Sequence, residues 1–380
     1  MNSGNSWEEP FATKEIVELG KKYGYKTIRI PVTWYNHIAD DKYTIDPVWM
    51  GRVKQVVDWA YDAGYYVILN EHHSVHGNAQ TVRTGDGGFE TRAMNSPLKY
   101  GDGYIVRNNQ VDIEESKKFL KAVWTQIGKA FNNGYDERLI FETMNEPRNA
   151  DHYGLNAVTG KLSSHEWDPG LALEYAPGKY WGDYRNCAEC IEDYKILNEY
   201  NQVCLDTIRA SGGNNANRFV MIPGLCTDEA TVLEEKFVLP VDKTSDKLVI
   251  TVHNYFMGSG NSTGKTDFTS DMETELADLY RRLNEKFIAG QKIPVVVGET
   301  GAPHFKEVTD DSGKTVKEEI PLAERLKWIK YFGNLCKSYG ISVCYWDCGG
   351  TKVGAMAELD RINLCAYEDE FVKAFVGALE

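Results

Sequence analysis

Two glutamates, each closing a strand-like run, carry the strongest sign of chemistry in this chain. The stretch Arg138-Leu139-Ile140-Phe141-Glu142-Thr143-Met144-Asn145-Glu146-Pro147 reads as a buried strand, its β-branched and aromatic residues suiting a sheet interior. Pro147 has no N–H with which to extend a ladder, so the strand stops and Glu146 stands where it opens into a loop. Pro294-Val295-Val296-Val297 runs in the same way into Gly298-Glu299. Taken alone, Glu146 is equally well explained as a helix cap or as a partner for Arg148. As a pair, the two meet the requirement for glycoside cleavage: a carboxylic acid that protonates the leaving oxygen and a carboxylate that attacks or activates water.

Other polar residues recur at the ends of strand-like runs. Arg29 lies inside an apolar run; His72 and His73 follow Leu69-Asn70-Glu71; Asn145 precedes Glu146; His253 and Tyr255 end the run from Leu248; Trp346 and Asp347 end the last. Each alone is more often a satisfied structural group, an Arg in a strand being usually paired and a strand-end His simply hydrogen-bonded. Their coincidence at one end of alternating units is what points to a site. Arg29, His253 and Tyr255 are potential donors that would hold Glu299 ionised, whereas Glu146 adjoins only the neutral amide of Asn145. Glu299 is therefore expected to be the nucleophile and Glu146 the acid/base.

The elements that must position these groups alternate in type. Helical spacing covers 13–23, 47–62, 112–131, 190–211, 271–287, 321–338 and 370–379, with strands at 26–32, 66–70, 138–147, 218–222, 248–252, 294–297 and 341–346. Strand and helix in turn, with no linker or low-complexity tract, mean one α/β domain over 1–380 built on a parallel sheet. No Gly-x-Gly-x-x-Gly turn follows an early strand, so a closed (β/α)8 TIM barrel fits better than an open doubly wound sheet. Seven strands are found, and the chain begins on a helix, so the barrel's first strand is expected to be missing. Glu146 and Glu299, three strands apart, would then face each other across the barrel mouth.

Composition narrows the partners. A net charge of −14 disfavours nucleic acid and anionic membranes as partners. Twelve per cent of residues are aromatic, including 22 Tyr and 9 Trp, which suits stacking on sugar rings as well as core filling. No run of about 18 apolar residues is present to span a membrane, and the segment from Met1 to Trp7 has neither the basic nor the apolar region of a signal peptide. Of the eight cysteines, Cys187 and Cys190 form a lone Cys-x-x-Cys that leaves a local disulfide open; no zinc spacing accompanies it, and no metal site is expected. Cys336, Cys344 and Cys365 lie in apolar segments and read as buried thiols.

Asn145-Glu146-Pro147 after an apolar strand, with Gly298-Glu299 ending a later Val-rich one, resembles glycoside hydrolase family 5, the cellulase family of retaining (β/α)8 barrels. Trp7 to Pro10, Ile28-Arg29-Ile30-Pro31-Val32-Thr33-Trp34, Leu69-Asn70-Glu71-His72-His73, His253-Asn254-Tyr255 and Tyr345-Trp346-Asp347 follow in the family's order. Eight family positions are filled: Arg29, His72, Asn145, Glu146, His253, Tyr255, Glu299 and Trp346. The resemblance implies Glu146 as acid/base, Glu299 as nucleophile, and Asn145 on the sugar 2-hydroxyl. It implies that Arg29 and Tyr255 steady the nucleophile, that His72 and His253 bind substrate or support the carboxylates, and that Trp346 forms a stacking floor. Trp34 and Tyr35, just beyond the Arg29 strand, are expected at the barrel mouth as sugar contacts.

The wording is nearest the broad-specificity bacterial endoglucanases, which implies an endo-β-1,4-glucanase acting on cellulose, mixed-linkage glucan and xyloglucan with retention. No metal or organic cofactor is expected, and a secreted location is. The alternatives are a mannanase or xylanase on the same barrel and, from another class, a non-catalytic carbohydrate-binding barrel. Two features depart from the family. The Gly- and Asn-rich first strand is not seen, and an open barrel edge invites self-association; and Ser74 stands where the family has a carboxylate. The aromatics of the 149–190 loop, Tyr153, Trp167, Tyr175, Tyr180, Trp181 and Tyr184, serve equally well as loop packing or as sugar contacts.

Overall fold

The structure, a computed structural model, describes residues 11–72, 79–83, 89–93, 104–105, 110–149, 188–256, 266–309, 315–348 and 356–380. In chain order the first elements are α1 (Lys14–Lys22), β1 (Thr27–Ile30), α2 (Pro47–Asp62), β2 (Tyr66–Asn70), β3 (Ala79–Arg83), β4 (Phe89–Ala93), β5 (Tyr104–Ile105), α3 (Gln110–Ala130), β6 (Leu139–Glu142) and β7 (Arg148–Asn149). There follow α4 (Ala188–Ala210), β8 (Val220–Asp228), α5 (Glu229–Leu233), β9 (Leu248–Tyr255), α6 (Ser270–Leu283), α7 (Ala289–Gln291) and β10 (Val295–Gly301). The last are β11 (Phe305–Thr309), β12 (Thr315–Glu319), α8 (Leu322–Ser338), β13 (Ser342–Tyr345), β14 (Leu359–Asp360), β15 (Cys365–Ala366) and α9 (Asp369–Leu379).

The principal sheet has seven strands in the order β1-β2-β6-β8-β9-β10-β13, so each new strand is added beside the last. Its pairings are parallel: Val67 lies opposite Leu139, Asn70 opposite Glu142, Glu142 opposite Met221, and Val297 opposite Val343. Parallel strands joined by helices in this order form the (β/α)8-barrel fold with seven strands among the described residues. Val67 to Asn70 are all buried, as a strand covered on both faces requires. The hairpin β11–β12 and the short α5 are additions that sequence periodicity did not signal.

The chain falls into two compact units. One comprises Arg29–Tyr61 and Tyr66–Thr251. Its helices bury one stripe each: α2 through Val53, Val57 and Ala60, and α3 through Phe119, Leu120, Val123, Trp124 and Ile127. Trp124 packs its ring 5.3 Å from Phe141 and donates its indole N–H to the Thr143 carbonyl, tying α3 to the strand that leads to Glu146.

The other unit comprises Met1–Ile28, Asp62–Tyr65 and Val252–Glu380. Its core is aromatic, with Trp328 stacked on Phe332 at 5.0 Å and on Phe256 at 5.3 Å. Beside this core His304, Glu358 and Glu368 gather as a metal site might, but the buried Arg325 guanidinium bonds to all three and supplies the positive charge itself.

Candidate active site

In the first unit a buried carboxylate organises the groups at the strand ends. Glu142, the last residue of β6, is fully buried. Its Oε2 accepts from Arg29 Nε at 2.7 Å, from Arg29 Nη2 at 2.6 Å and from Asn70 Nδ2 at 3.1 Å, while its Oε1 accepts from the Thr251 hydroxyl at 2.7 Å. A buried carboxylate persists only when a counter-charge and several donors answer it, and here four donors do. Arg29 Nη2 also donates to Asn145 Oδ1 at 2.6 Å. The Arg29 guanidinium therefore spans Glu142 and Asn145.

Asn145 and Glu146 follow as β6 ends. The Asn145 N–H donates to the Glu71 carbonyl at 2.8 Å, fixing the chain against the end of β2. Glu146 adopts a left-handed backbone with φ +41°, a conformation that costs a non-glycine residue about 1–3 kcal/mol and persists only where its surroundings impose it. The end of β8 supplies those surroundings: Thr227 Oγ1 accepts the Glu146 N–H at 3.0 Å, and the Cys226 N–H reaches the Pro147 carbonyl at 2.8 Å. Cys226 and Thr227 are themselves left-handed, both at φ +52°. Two strands thus bend at their ends to present one half-buried carboxylate. His72 is half-buried, with its N–H on the Val32 carbonyl at 2.8 Å and its ring Nδ1 3.5 Å from Asn70 Nδ2.

In the second unit Glu299 lies in β10 and is 5% exposed. The Tyr255 hydroxyl donates to Glu299 Oε2 at 2.5 Å, and His253 Nδ1 lies 3.5 Å from the same oxygen. Both neighbours come from the end of β9. The register between β10 and β13 shifts between Val297 and Thr300, so Glu299 sits in an irregularity that re-aims its side chain. Trp346 is half-buried and held by its N–H on the Thr300 carbonyl. The next residue, Asp347, accepts the N–H groups of Glu358 and Leu359 at 3.0 and 2.7 Å, which pins the returning chain. Gly301 is needed there: a Cβ on it would come within 2.6 Å of Met356 Sδ and 3.3 Å of the Tyr255 ring.

Two expectations are corrected. Trp34 is completely buried, with its indole N–H on the Asn70 carbonyl at 3.1 Å, and Tyr35 is 1% exposed against Phe119. The chain turns at once into the 3-10 turn Tyr35–His37 after β1, carrying both rings into the core rather than onto a rim. They are packing residues and not sugar platforms. Two contributors were also passed over, Asn70 and Glu142. The signal was present, since Arg29 in one strand interior demands an acid in another, and Glu142 is the carboxylate inside the next long apolar run. His73, Ser74, Cys187, the segment from Trp7 to Pro10 and the aromatics Tyr153 to Tyr184 lie outside the described residues.

Comparison with known proteins gives the family of the chain. The family model for cellulase (glycosyl hydrolase family 5) matches residues 1–352. Endoglucanase 1 of Ruminococcus albus is 36% identical over 368 residues, covering 95% of this chain and 71% of the relative, and Endoglucanase B of the same organism is 34% identical over 376 residues, covering 98% and 73%. Among solved structures, a family 5 lichenase from Caldicellulosiruptor in complex with cellotetraose superposes with a TM-score of 0.72 at 29% identity, covering 97% of this chain and 84% of that one. A broad-specificity endoglucanase from Ruminococcus champanellensis with bound cellotriose gives a TM-score of 0.71 at 27% identity, covering 97% and 87%. On the matched family model, the identity to these relatives and the shared fold, this chain belongs to glycoside hydrolase family 5.

Proposed function

We propose that this chain is an endo-β-1,4-glucanase that cleaves β-glucan backbones with retention, using Glu146 as acid/base and Glu299 as nucleophile. The observation that carries the reading is the environment of Glu299, a nearly buried carboxylate with one oxygen fixed by the Tyr255 hydroxyl. Named relatives that are endoglucanases, and a lichenase bound to cellotetraose, support the substrate class. In the first step the Glu146 carboxylic acid gives its proton to the glycosidic oxygen as that bond breaks, and Glu299 bonds to the anomeric carbon from the opposite face. In the second, Glu146, now a carboxylate, takes a proton from water as the water oxygen displaces Glu299. Retention requires the two carboxyl groups to stand about 5–5.5 Å apart.

In this proposal the Asn145 amide meets the 2-hydroxyl of the sugar undergoing cleavage, His72 and His253 line the substrate path, and Trp346 offers its ring to a sugar face. The whole of 1–380 acts as one catalytic domain, and it works outside the cell, where polymeric β-glucan is met. Seven strands form the principal sheet among the described residues, and self-association of the chain is part of the proposal, which sedimentation at two protein concentrations reads directly.

Replacing Glu299 by Gly abolishes hydrolysis of lichenan, and azide added with an activated aryl cellobioside restores turnover with an α-glycosyl azide as product. Normal activity in that variant would show the nucleophile to be another residue. Reducing ends released side by side from carboxymethylcellulose, lichenan, xyloglucan, xylan and mannan test the substrate, with the glucans favoured; preference for mannan or xylan would overturn the specificity.

A further inference from the structure

We propose that Glu142 is a positioning residue: acting through Arg29, it fixes which edge of the Asn145 amide faces a bound sugar. The inference rests on the reading of this chain as a glycosidase and adds to it a residue that does not touch substrate. An Asn side chain offers a carbonyl oxygen on one edge and an N–H donor on the other, and nothing intrinsic to the residue prefers either orientation. Arg29 removes the choice. A guanidinium can only donate, so the Asn145 atom 2.6 Å from Nη2 must be the oxygen. The edge away from Arg29 is then the N–H edge, suited to the lone pairs of a hydroxyl.

Arg29 could not hold that oxygen without being held itself. Two of its nitrogens lie on Glu142 Oε2, and the pair is almost wholly buried, with side chains 4% and 0% exposed. Glu142 is in turn fixed from two further strands, by Asn70 of β2 and Thr251 of β9. Asn70 is itself oriented, because its Oδ1 accepts the Val32 N–H at 3.1 Å and leaves only Nδ2 for Glu142. The links from Arg29 start from an obligatory donor and those to Glu142 end on a carboxylate, so the two amides each have one arrangement. The network ends one residue before Glu146.

The test compares an aryl β-cellobioside with its analogue lacking the 2-hydroxyl on the ring at the cleaved bond. The ratio of their kcat/KM values is measured for the wild type, Asn145→Ala, Glu142→Gln and Arg29→Lys, with Tm recorded for each. Deoxygenation changes the intrinsic reactivity equally for every variant, so only protein contacts alter the ratio. Losing one hydrogen bond that strengthens in the transition state should lower the ratio about tenfold in Asn145→Ala, and by a similar factor in Glu142→Gln. Arg29→Lys keeps the charge that Glu142 needs, but a single ammonium cannot span both partners, so its ratio should fall too even if Glu142→Gln fails to fold. A purely structural role would lower kcat/KM for both substrates together and leave the ratio unmoved. A lowered ratio in Asn145→Ala with unaltered ratios in the other two would overturn the positioning role alone, and an unaltered ratio in Asn145→Ala would overturn the sugar contact and the proposal with it.

Discussion

The acid/base role proposed for Glu146 makes a division of labour that mutation can separate. Protonation matters when the leaving group is a sugar alcohol and little when it is an acidic phenol. Glu146→Ala should therefore lower hydrolysis of lichenan by about 10²–10⁴ while leaving the first-turnover burst of dinitrophenol from an activated cellobioside nearly intact. Added azide should give a β-glycosyl azide, since the glycosyl-enzyme would still form and only its hydrolysis would lack a base. Equal losses on both substrates would mean that Glu146 supports the fold rather than proton transfer. At this scale the sequence marked Glu146 and Glu299 as candidates because each closes an apolar strand, one beside Pro147 and the other after Gly298. It concealed Glu142, which sits within the same apolar run and was passed over as part of it. It misplaced Trp34, because a ring just past a strand reads as a rim residue until the 3-10 turn that buries it is known.

The strands and main helices were legible because hydrophobic period and capping residues act locally: Thr13 accepts the Ile16 N–H at the start of α1, and the expected 47–62 helix is α2. What was not legible is how strands bend at their ends, as β8 does beneath Glu146, because that depends on packing between elements. Gly224 lets α5 pack closely on β8 just before that bend: a Cβ there would lie 2.7 Å from a Val232 methyl and 3.2 Å from the Val232 nitrogen in α5. Gly224→Ala should destabilise the protein by about 1–3 kcal/mol through overpacking. It should also depress kcat more than Tm alone explains, because Thr227 shifts away from the Glu146 N–H. A second test concerns the turn after β1. Burial there pushes His37 from its ordinary 6.5 down to about 4, opposed in part by Asp46, and its ring stacks 3.8 Å from Trp49. Between those values the unfolded chain binds a proton that the folded chain does not, so the stability due to neutral His37 is present above 6.5 and lost as pH falls toward 4. His37→Gln should flatten that part of the stability profile in urea titrations; an unchanged slope would mean that another group sets it.

At the scale of the whole molecule the dominant fact is charge, with 56 acidic against 42 basic residues and a net −14. A neutral polymer such as lichenan is indifferent to that field, but carboxymethylcellulose carries its own carboxylates and must be brought to a protein of like sign. The repulsion is long-ranged at about 10 mM salt, where the Debye length is about 30 Å, and short-ranged at about 150 mM, where it is about 8 Å. Raising salt across that interval should therefore lower KM for carboxymethylcellulose several-fold and leave kcat unaltered, since the steps at the anomeric carbon occur within buried, unscreened contacts such as that of Tyr255 with Glu299. The neutral glucan should show no change in either constant. Parallel salt responses of the two polymers would mean that salt acts on the protein itself. No response with carboxymethylcellulose would mean that the negative charge lies away from the surface the polymer follows, leaving composition a poor guide to how this enzyme meets charged substrates.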